Sequence, residues 1–273
     1  MKISIVTISY NQASFLEKAI QSVIEQDYKD IEYIVVDPGS TDGSRDIIDK
    51  YRTRISRIIY EPDDGPADGL NKGFSYANGD IYGFLNSDDI LLPGAFRYIV
   101  EYFISHPDVD IVSGHSVIID EFNKELRKSY SERFSLIKHA YGAVVLMQPS
   151  TFFRSEIYRN TNGFNIFNKS NWDGEMFVDM AKKGAQFALI NKILSGYRLH
   201  PGSITSSGKL DDRIKAYQKY IFRKIMGREW MKMDILLGTM LRVTKHLTSP
   251  RALYERITKG RIYMRHAKQI KDM

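Results

Sequence analysis

Four short apolar runs, each closing on a cluster of polar residues, constrain this chain more than any other feature. Ile3–Ser9 is rich in β-branched residues, Ile31–Val36 ends at Asp37, Arg57–Tyr60 ends at Glu61, and Ile81–Leu85 ends at Asn86-Ser87-Asp88-Asp89. Between the runs, apolar residues recur at helical spacing: Phe15, Leu16, Ala19, Ile20, Val23 and Ile24, then Ile47, Ile48 and Tyr51, then Ala67, Leu70, Phe74 and Ala77. Ser14-Phe15-Leu16-Glu17 has the spacing of a capping box. Short strands that alternate with helices of about ten residues predict right-handed βαβ crossovers, hence an α/β fold with a mainly parallel, Rossmann-like sheet flanked by helices. Ligands of such sheets bind beyond the carboxyl ends of the strands. That edge receives Ser9-Tyr10-Asn11, Asp37 to Asp42, Glu61 to Asp64, and Asn86 to Asp89.

The second half is less regular. Asp110–Ile119 and Ile193–Leu199 read as strands, Gln148–Arg154 as a shorter one, and Trp172–Lys183 as a helix with Phe177, Met180 and Ala181 on one side. From about Leu210 onward the pattern is helical and basic. The 273 residues fit one large domain with an appendage, here residues 1–207 and a C-terminal helical extension over 208–273. The net charge of +6 is unevenly spread: residues 209–273 hold 17 Lys+Arg against 6 Asp+Glu, leaving 22 against 27 in the rest. The chemistry is therefore expected in the acidic part. The absence of cysteine excludes a disulfide framework and thiolate metal sites. The amino terminus runs straight into a strand pattern without a leader-like apolar region, and no apolar run approaches the ~20 residues that span a bilayer, so a cytoplasmic protein is expected.

Asp88 and Asp89 are adjacent carboxylates at a strand end, a donor set suited to a hard divalent cation, Mg²⁺ or Mn²⁺. Such an ion takes its remaining ligands from substrate phosphates and water, and neutralises charge on a departing diphosphate. The alternative is that the pair caps a helix beginning near Pro93. Asp37, at the tip of the second strand, is placed to accept hydrogen bonds from a nucleoside. Thr7-Ile8-Ser9-Tyr10-Asn11-Gln12 has no glycine, which argues against a dinucleotide fingerprint, and no Gly-x-x-x-x-Gly-Lys loop supports an ATPase.

Taken in order, several segments resemble glycosyltransferase family 2, whose members adopt the GT-A fold. They are Thr7-Ile8-Ser9-Tyr10-Asn11, Asp37-Pro38-Gly39-Ser40-Thr41-Asp42-Gly43, Glu61-Pro62-Asp63-Asp64-Gly65 with Asp68 and Asn71-Lys72-Gly73, and Phe84-Leu85-Asn86-Ser87-Asp88-Asp89. Gln148-Pro149-Ser150-Thr151-Phe152-Phe153-Arg154, Gly163-Phe164, Trp172-Asp173 and Tyr197-Arg198-Leu199-His200-Pro201-Gly202-Ser203 follow, so the match covers roughly residues 2–205. The resemblance implies that Asp37 reads the base, typically uracil, with Tyr10 flanking it and Thr7 nearby. It implies that Asp88 contacts the ribose or sugar side, that Asp89 binds the metal beside the diphosphate, and that His200 supplies a further metal contact. Asp68 and Lys72 fall on a helix whose counterpart lines the donor pocket. The chain departs from the pattern at Pro38, at Asn86, and at Asn171-Trp172-Asp173-Gly174-Glu175, where a plain Glu-Asp pair is usual.

Inverting transfer, which the resemblance implies, needs a base on the face opposite the leaving diphosphate. Asp173 is the first candidate and Glu175 the second; two residues apart on a helix, they point in different directions. Asp173 could instead cap its helix, and Trp172 either packs against an acceptor sugar or belongs to the core. His106, His115, His139, His246 and His266 carry no ligand-like grouping.

The basic extension, with Trp230 at its edge, suits an anionic membrane surface and a lipid-linked acceptor. A helical cap packed on the domain, with a dimer contact, is the alternative. Nucleic acid is not expected, since no recognition motif accompanies the charge. The expected function is transfer of a sugar from a nucleotide-diphosphate donor, a UDP-sugar, to a glycan or lipid-linked saccharide in surface polysaccharide or lipopolysaccharide synthesis. Two rivals are a sugar nucleotidyltransferase, which would need a glycine-rich basic loop after the first strand, and a non-catalytic nucleotide-sugar-binding module. Pro38 and Asn86 favour the latter; the joint presence of Asp37, Asp88, Asp89, Asp173 and His200 opposes it.

Overall fold

The sheet in the computed structural model grows outward from β1 (Ile3–Ile8). The structure describes residues 1–200, 202 and 211–260, without the side chains of 211–214 and 245–247; the expected domain boundary after residue 207 and the Pro201 and Ser203 positions lie outside them. Strand β1 pairs in parallel with β2 (Ile31–Val36) on one side and β4 (Ile81–Asn86) on the other, and β2 pairs in parallel with β3 (Arg57–Ile59). Strands β1, β2 and β4 are buried on both faces, which explains their nearly continuous apolar content, whereas β3 at the sheet edge buries only Ile59 fully. The crossovers are α1 (Ala13–Ile24), α2 (Ser44–Lys50) and α3 (Pro66–Ser75).

Beyond β4 the pairing turns antiparallel. Strand β8 (Thr151–Arg154) runs against β4, and β6 (Ile111–Ile119) runs against β8. Strand β9 (Phe187–Arg198) lies parallel to β6, β5 (Ile90–Leu91) pairs with β9, and β7 (Glu125–Ser129) pairs with β6. The result is a mixed sheet in the order β3-β2-β1-β4-β8-β6-β9-β5. Parallel pairing is thus confined to the first four of these strands and to β6–β9. Two-residue β5 and polar β7 have no periodic signal of their own; they are strands because a long neighbour offers them an edge. Strand β9 begins at Phe187 rather than Ile193, and Gln148–Ser150 is a tight helical turn ahead of β8.

Alternation along β1 divides the core. Ile3 and Ile5 face α1 and α4 (Ala95–Ser105), with Leu16, Ile20, Phe96, Ile99 and Phe103. Val6 faces α3 and α7 (Trp172–Lys182), where Phe74, Phe84, Phe153 and Phe164 form an aromatic layer. Helix α3 reaches β1 so closely that a Cβ on Gly73 would collide with Val6.

The capping box at Ser14 does not form. Helix α1 starts at Ala13, with Gln12 as N-cap and no side-chain cap. Glu17 is drawn away to Lys50 and Tyr51, at 2.6 and 2.9 Å. Asp42, from the loop after β2, instead accepts the Ala13 N–H at 2.9 Å.

The basic extension forms α8 (Asp211–Met226), α9 (Lys232–Thr248) and α10 (Pro250–Lys259). Ile221 and Tyr217 of α8 pack with Val178 of α7, and Phe222 packs with Tyr141 just after α5 (Leu136–Ala140). Helix α10 touches β7 through the Lys128 N–H, which donates to Glu255 at 3.3 Å. Among the described residues, no helix is long and apolar enough to cross a membrane.

Candidate active site

A cleft of about 630 Å³ opens at the carboxyl ends of β1, β2 and β4. Its walls are Ser9, Tyr10 and Gln12 after β1, Pro38 after β2, and Pro62, Asp63 and Gly65 ahead of α3. Asn86 to Asp89 after β4, Trp172 on α7 and Tyr197 on β9 complete it.

Local hydrogen bonding locks the first two loops together. Asn11 adopts a left-handed conformation (φ 51°), a place where asparagine is tolerated. Its N–H donates to Ser40 Oγ at 2.8 Å and its side-chain oxygen accepts the Thr41 N–H at 2.9 Å. Asp37, fully buried, accepts the N–H groups of Gly39 (3.1 Å) and Ser40 (2.8 Å) and the Arg45 Nε–H (3.1 Å), all on Oδ1.

Among the described residues, three buried side-chain polar atoms have no hydrogen-bond partner: Ser9 Oγ, Asp37 Oδ2 and Asp89 Oδ2. Buried polar atoms are almost always satisfied in folded proteins, and each exception calls for an explanation. All three follow the ends of β1, β2 and β4: Ser9 and Asp89 line the cleft, and Asp37 immediately precedes Pro38 in its wall.

Asp88 and His200 are brought together: Nε2 lies 3.1 Å from Oδ2. The His200 ring is backed by Phe15 at 4.5 Å between centroids. Asp89 is buried and turned toward β9, where its Oδ1 accepts the Arg198 N–H at 2.8 Å. Burial first, and then the charge of Asp88, pushes the Asp89 carboxyl well above the usual range. Neither aspartate caps α4, whose N-cap is Gly94. Arg198, which no sequence motif marks with a role, belongs to the site as well. This buried guanidinium donates to the carbonyls of Asp88 (2.6 Å) and Asp120 (2.7 Å) and to Asn123 Oδ1 (2.6 Å), so it fixes the backbone under the acidic pair. Its only sequence signal is a position two residues before His200.

Several expected positions stand behind the wall. Thr7 is buried in β1 and accepts the Tyr33 hydroxyl at 3.0 Å. Asp68 and Lys72 pair at 3.1 Å; Asp68 accepts the Asp64 N–H at 3.0 Å and Lys72 donates to the Pro62 carbonyl, so both shape the Glu61–Gly65 loop. Lys169 donates to the Asp64 carbonyl from the opposite loop. Tyr10, by contrast, is 61% exposed at the cleft mouth. Trp172 serves both readings: its ring lies 5.6 and 5.9 Å from those of Phe84 and Phe164, and it also lines the cleft.

The two base candidates differ in surroundings. Glu175 is buried and accepts from Asn165 and Asn168, from Tyr220 at 2.7 Å and from Lys224 at 2.8 Å. Burial alone would raise its carboxyl, but these donors outweigh it and the pKa is lowered. Asp173 does not cap α7, since Asn171 is the N-cap. Within the described residues its carboxylate accepts only the adjacent Gly174 N–H, at 2.8 Å, and burial raises its pKa.

No group of three or more His, Cys, Asp or Glu side chains among the described residues could hold a metal. The donor set nevertheless fits a hard cation that relies on its substrate. Asp88 and His200 supply an oxygen and a nitrogen at chelating distance beside the cleft, leaving the other positions to phosphate oxygens and water.

The family model for glycosyl transferase family 2 matches residues 4–166. An uncharacterised glycosyltransferase of Nostoc sp. is 35% identical over 146 residues, which is 50% of this chain and only 45% of that relative. The teichuronic acid biosynthesis glycosyltransferase TuaG of Bacillus subtilis, itself a provisional assignment, is 26% identical over 84% of this chain and 90% of its own length. Among solved structures, S. aureus TarS 1–349 in complex with UDP-GlcNAc superposes with a TM-score of 0.68 at 16% identity, covering 100% of this chain and 79% of that one. The mannosyltransferase PcManGT of Pyrobaculum calidifontis, in complex with GDP-Man and Mn²⁺, gives 0.64 at 18% identity, covering 99% and 78%. These structures share the α/β fold, the GT-A fold that the sequence resemblance implied. With its ordered strand-end motifs and the family match over more than half its length, the chain belongs to glycosyl transferase family 2.

Proposed function

We propose that this enzyme is an inverting, metal-dependent glycosyltransferase that moves one sugar from a UDP-sugar to a glycan or lipid-linked saccharide in cell-surface polysaccharide synthesis. The observation that carries the reading is the set of three unpartnered buried polar atoms around one cleft. Asp37 Oδ2 is free to accept an N–H from the base, with Tyr10 flanking the ring. Two similarities support the chemistry: the TarS structure holds UDP-GlcNAc, and TuaG is named for a surface polymer.

The resemblance gives the metal to Asp89 and His200. The geometry favours Asp88 with His200, because Asp89 already accepts a backbone N–H and is turned into the protein. When bound, Mn²⁺ or Mg²⁺ would neutralise charge on the departing diphosphate. Asp173 is the base, since Glu175 is committed to four donors. Its carboxylate takes the acceptor hydroxyl proton as the acceptor oxygen bonds to the anomeric carbon and the bond to the diphosphate breaks. A carboxylate raised by burial is a stronger base for that purpose. Trp172 offers an apolar face to the acceptor sugar.

The test is a thermal-shift screen against UDP-, GDP-, CDP- and dTDP-sugars, with and without Mn²⁺ or Mg²⁺. A metal-dependent rise with UDP-sugars supports the reading. A rise confined to GDP-sugars would replace the donor, and no rise with any of them would overturn the donor site.

A further inference from the structure

We propose that α9 and α10 form a docking face for an anionic lipid bilayer, with an apolar stripe along α9 as its contact. The stripe is Met233, Leu236, Met240 and Val243, between 54 and 69% exposed and spaced to share one side of the helix. Its direction is fixed by packing on the opposite side. Asp234 is buried there and accepts the Tyr141 hydroxyl at 2.6 Å. Gly238 is pressed against the same ring, where a Cβ would lie 3.1 Å from Tyr141 Cδ1. The outward apolar face is therefore held in place by the domain. Large side chains gathered on one exposed face mark a surface that meets a partner.

Charge identifies the partner. The two acids of these helices, Asp234 and Glu255, are both buried and paired, with Arg228 and Lys259. Every exposed charged side chain described on α9 and α10 is positive: Lys232, Arg242, Arg251, Arg256 and Lys259. Beyond Gly260 the sequence adds Arg261, Arg265, Lys268 and Lys271 against Asp272. An apolar stripe on helices whose described exposed charges are all cations suits insertion at the headgroup level of anionic lipid. A symmetric dimer through the same face would bring identical cationic surfaces together, which disfavours a second copy as the occupant.

The full chain is sedimented with vesicles of phosphatidylcholine alone and of equal parts phosphatidylcholine and phosphatidylglycerol, without any sugar donor, so the result is independent of the proposed transfer. The wild type is expected to bind the mixed vesicles, less at high salt, and the pair Leu236→Ser with Met240→Ser to reduce binding by about tenfold or more. Met233→Ser with Val243→Ser should give the same loss, and thermal melts matching the wild type would show that both variants remain folded. Wild type left in the supernatant with both vesicles, or variants that sediment as it does, overturns the proposal. So does a wild-type dimer in sedimentation velocity that the substitutions dissociate while no form binds vesicles.

Discussion

Lys224 Nζ, on α8, lies 2.8 Å from Glu175 Oε1 on α7, two residues along from Asp173. The same ammonium is 2.6 Å from Asp179. A charge contributed by the basic extension thus closes the network that holds the helix of the candidate base. Residues separated by 49 positions meet here, on a helix that the sequence shows only as a basic amphipathic pattern.

Lys224→Met should destabilise the fold, because removing one partner leaves the Glu175 carboxylate buried without its cation. Breaking such a pair costs about 3 kcal/mol, a fall in Tm of roughly 6–12 °C for a chain of this size. The folded-state pKa of Glu175 lies below its unfolded value, so its contribution is present above the unfolded pKa and lost as pH falls through the folded one. Melts at neutral pH should separate variant from wild type, and melts in acid should bring them together. Equal Tm values at neutral pH would remove Lys224 from the account.

Asp173→Asn should keep donor binding and lose transfer by about 10²–10⁴-fold, the range that general-base catalysis supplies. The base must be deprotonated, and burial raises its pKa. The wild-type rate should therefore climb with pH through a value above that of an ordinary aspartate and then level. A variant that retains full transfer would move the base elsewhere.

His200→Ala and Asp88→Asn should weaken donor binding only when Mn²⁺ or Mg²⁺ is present. Changes in outer-shell partners alone cost about 10–100-fold in metal affinity, so losing a direct ligand should cost at least tenfold. Calorimetry with UDP, with and without the ion, separates this from a general loss of the site; equal weakening in both conditions contradicts the assignment.

Gly73→Ala tests the close approach of α3 to β1. The added methyl meets Val6 in a packed core, and overpacking of this kind costs about 1–3 kcal/mol. A denaturant titration should show a lower midpoint with an unchanged slope; an unchanged midpoint would mean that α3 moves away without cost.

Much of this protein is legible in one dimension. The parallel half, β1 to β4 with its three crossovers, follows from β-branched runs and helical spacing, and Asp37, Asp88 and His200 follow from standing at strand ends or in ordered motifs. Local periodicity suffices there because β1, β2 and β4 are buried on both faces and each helix covers its neighbours. Tertiary structure alone decided the rest. Ser14 and Glu17 have capping-box spacing, yet Asp42 from another loop reaches the helix end and Lys50 takes Glu17. Asp68 and Lys72 look like pocket residues but bond to the backbone of the loop beside them. Asp88 rather than Asp89 meets His200 because Arg198, at the end of β9, holds the turn after β4 through the Asp88 carbonyl and the Asp89 carboxylate. A sequence fixes which groups are available and where they lie along each element; which of them pair across 100 residues or more depends on the geometry of packed elements, and no local pattern carries that information.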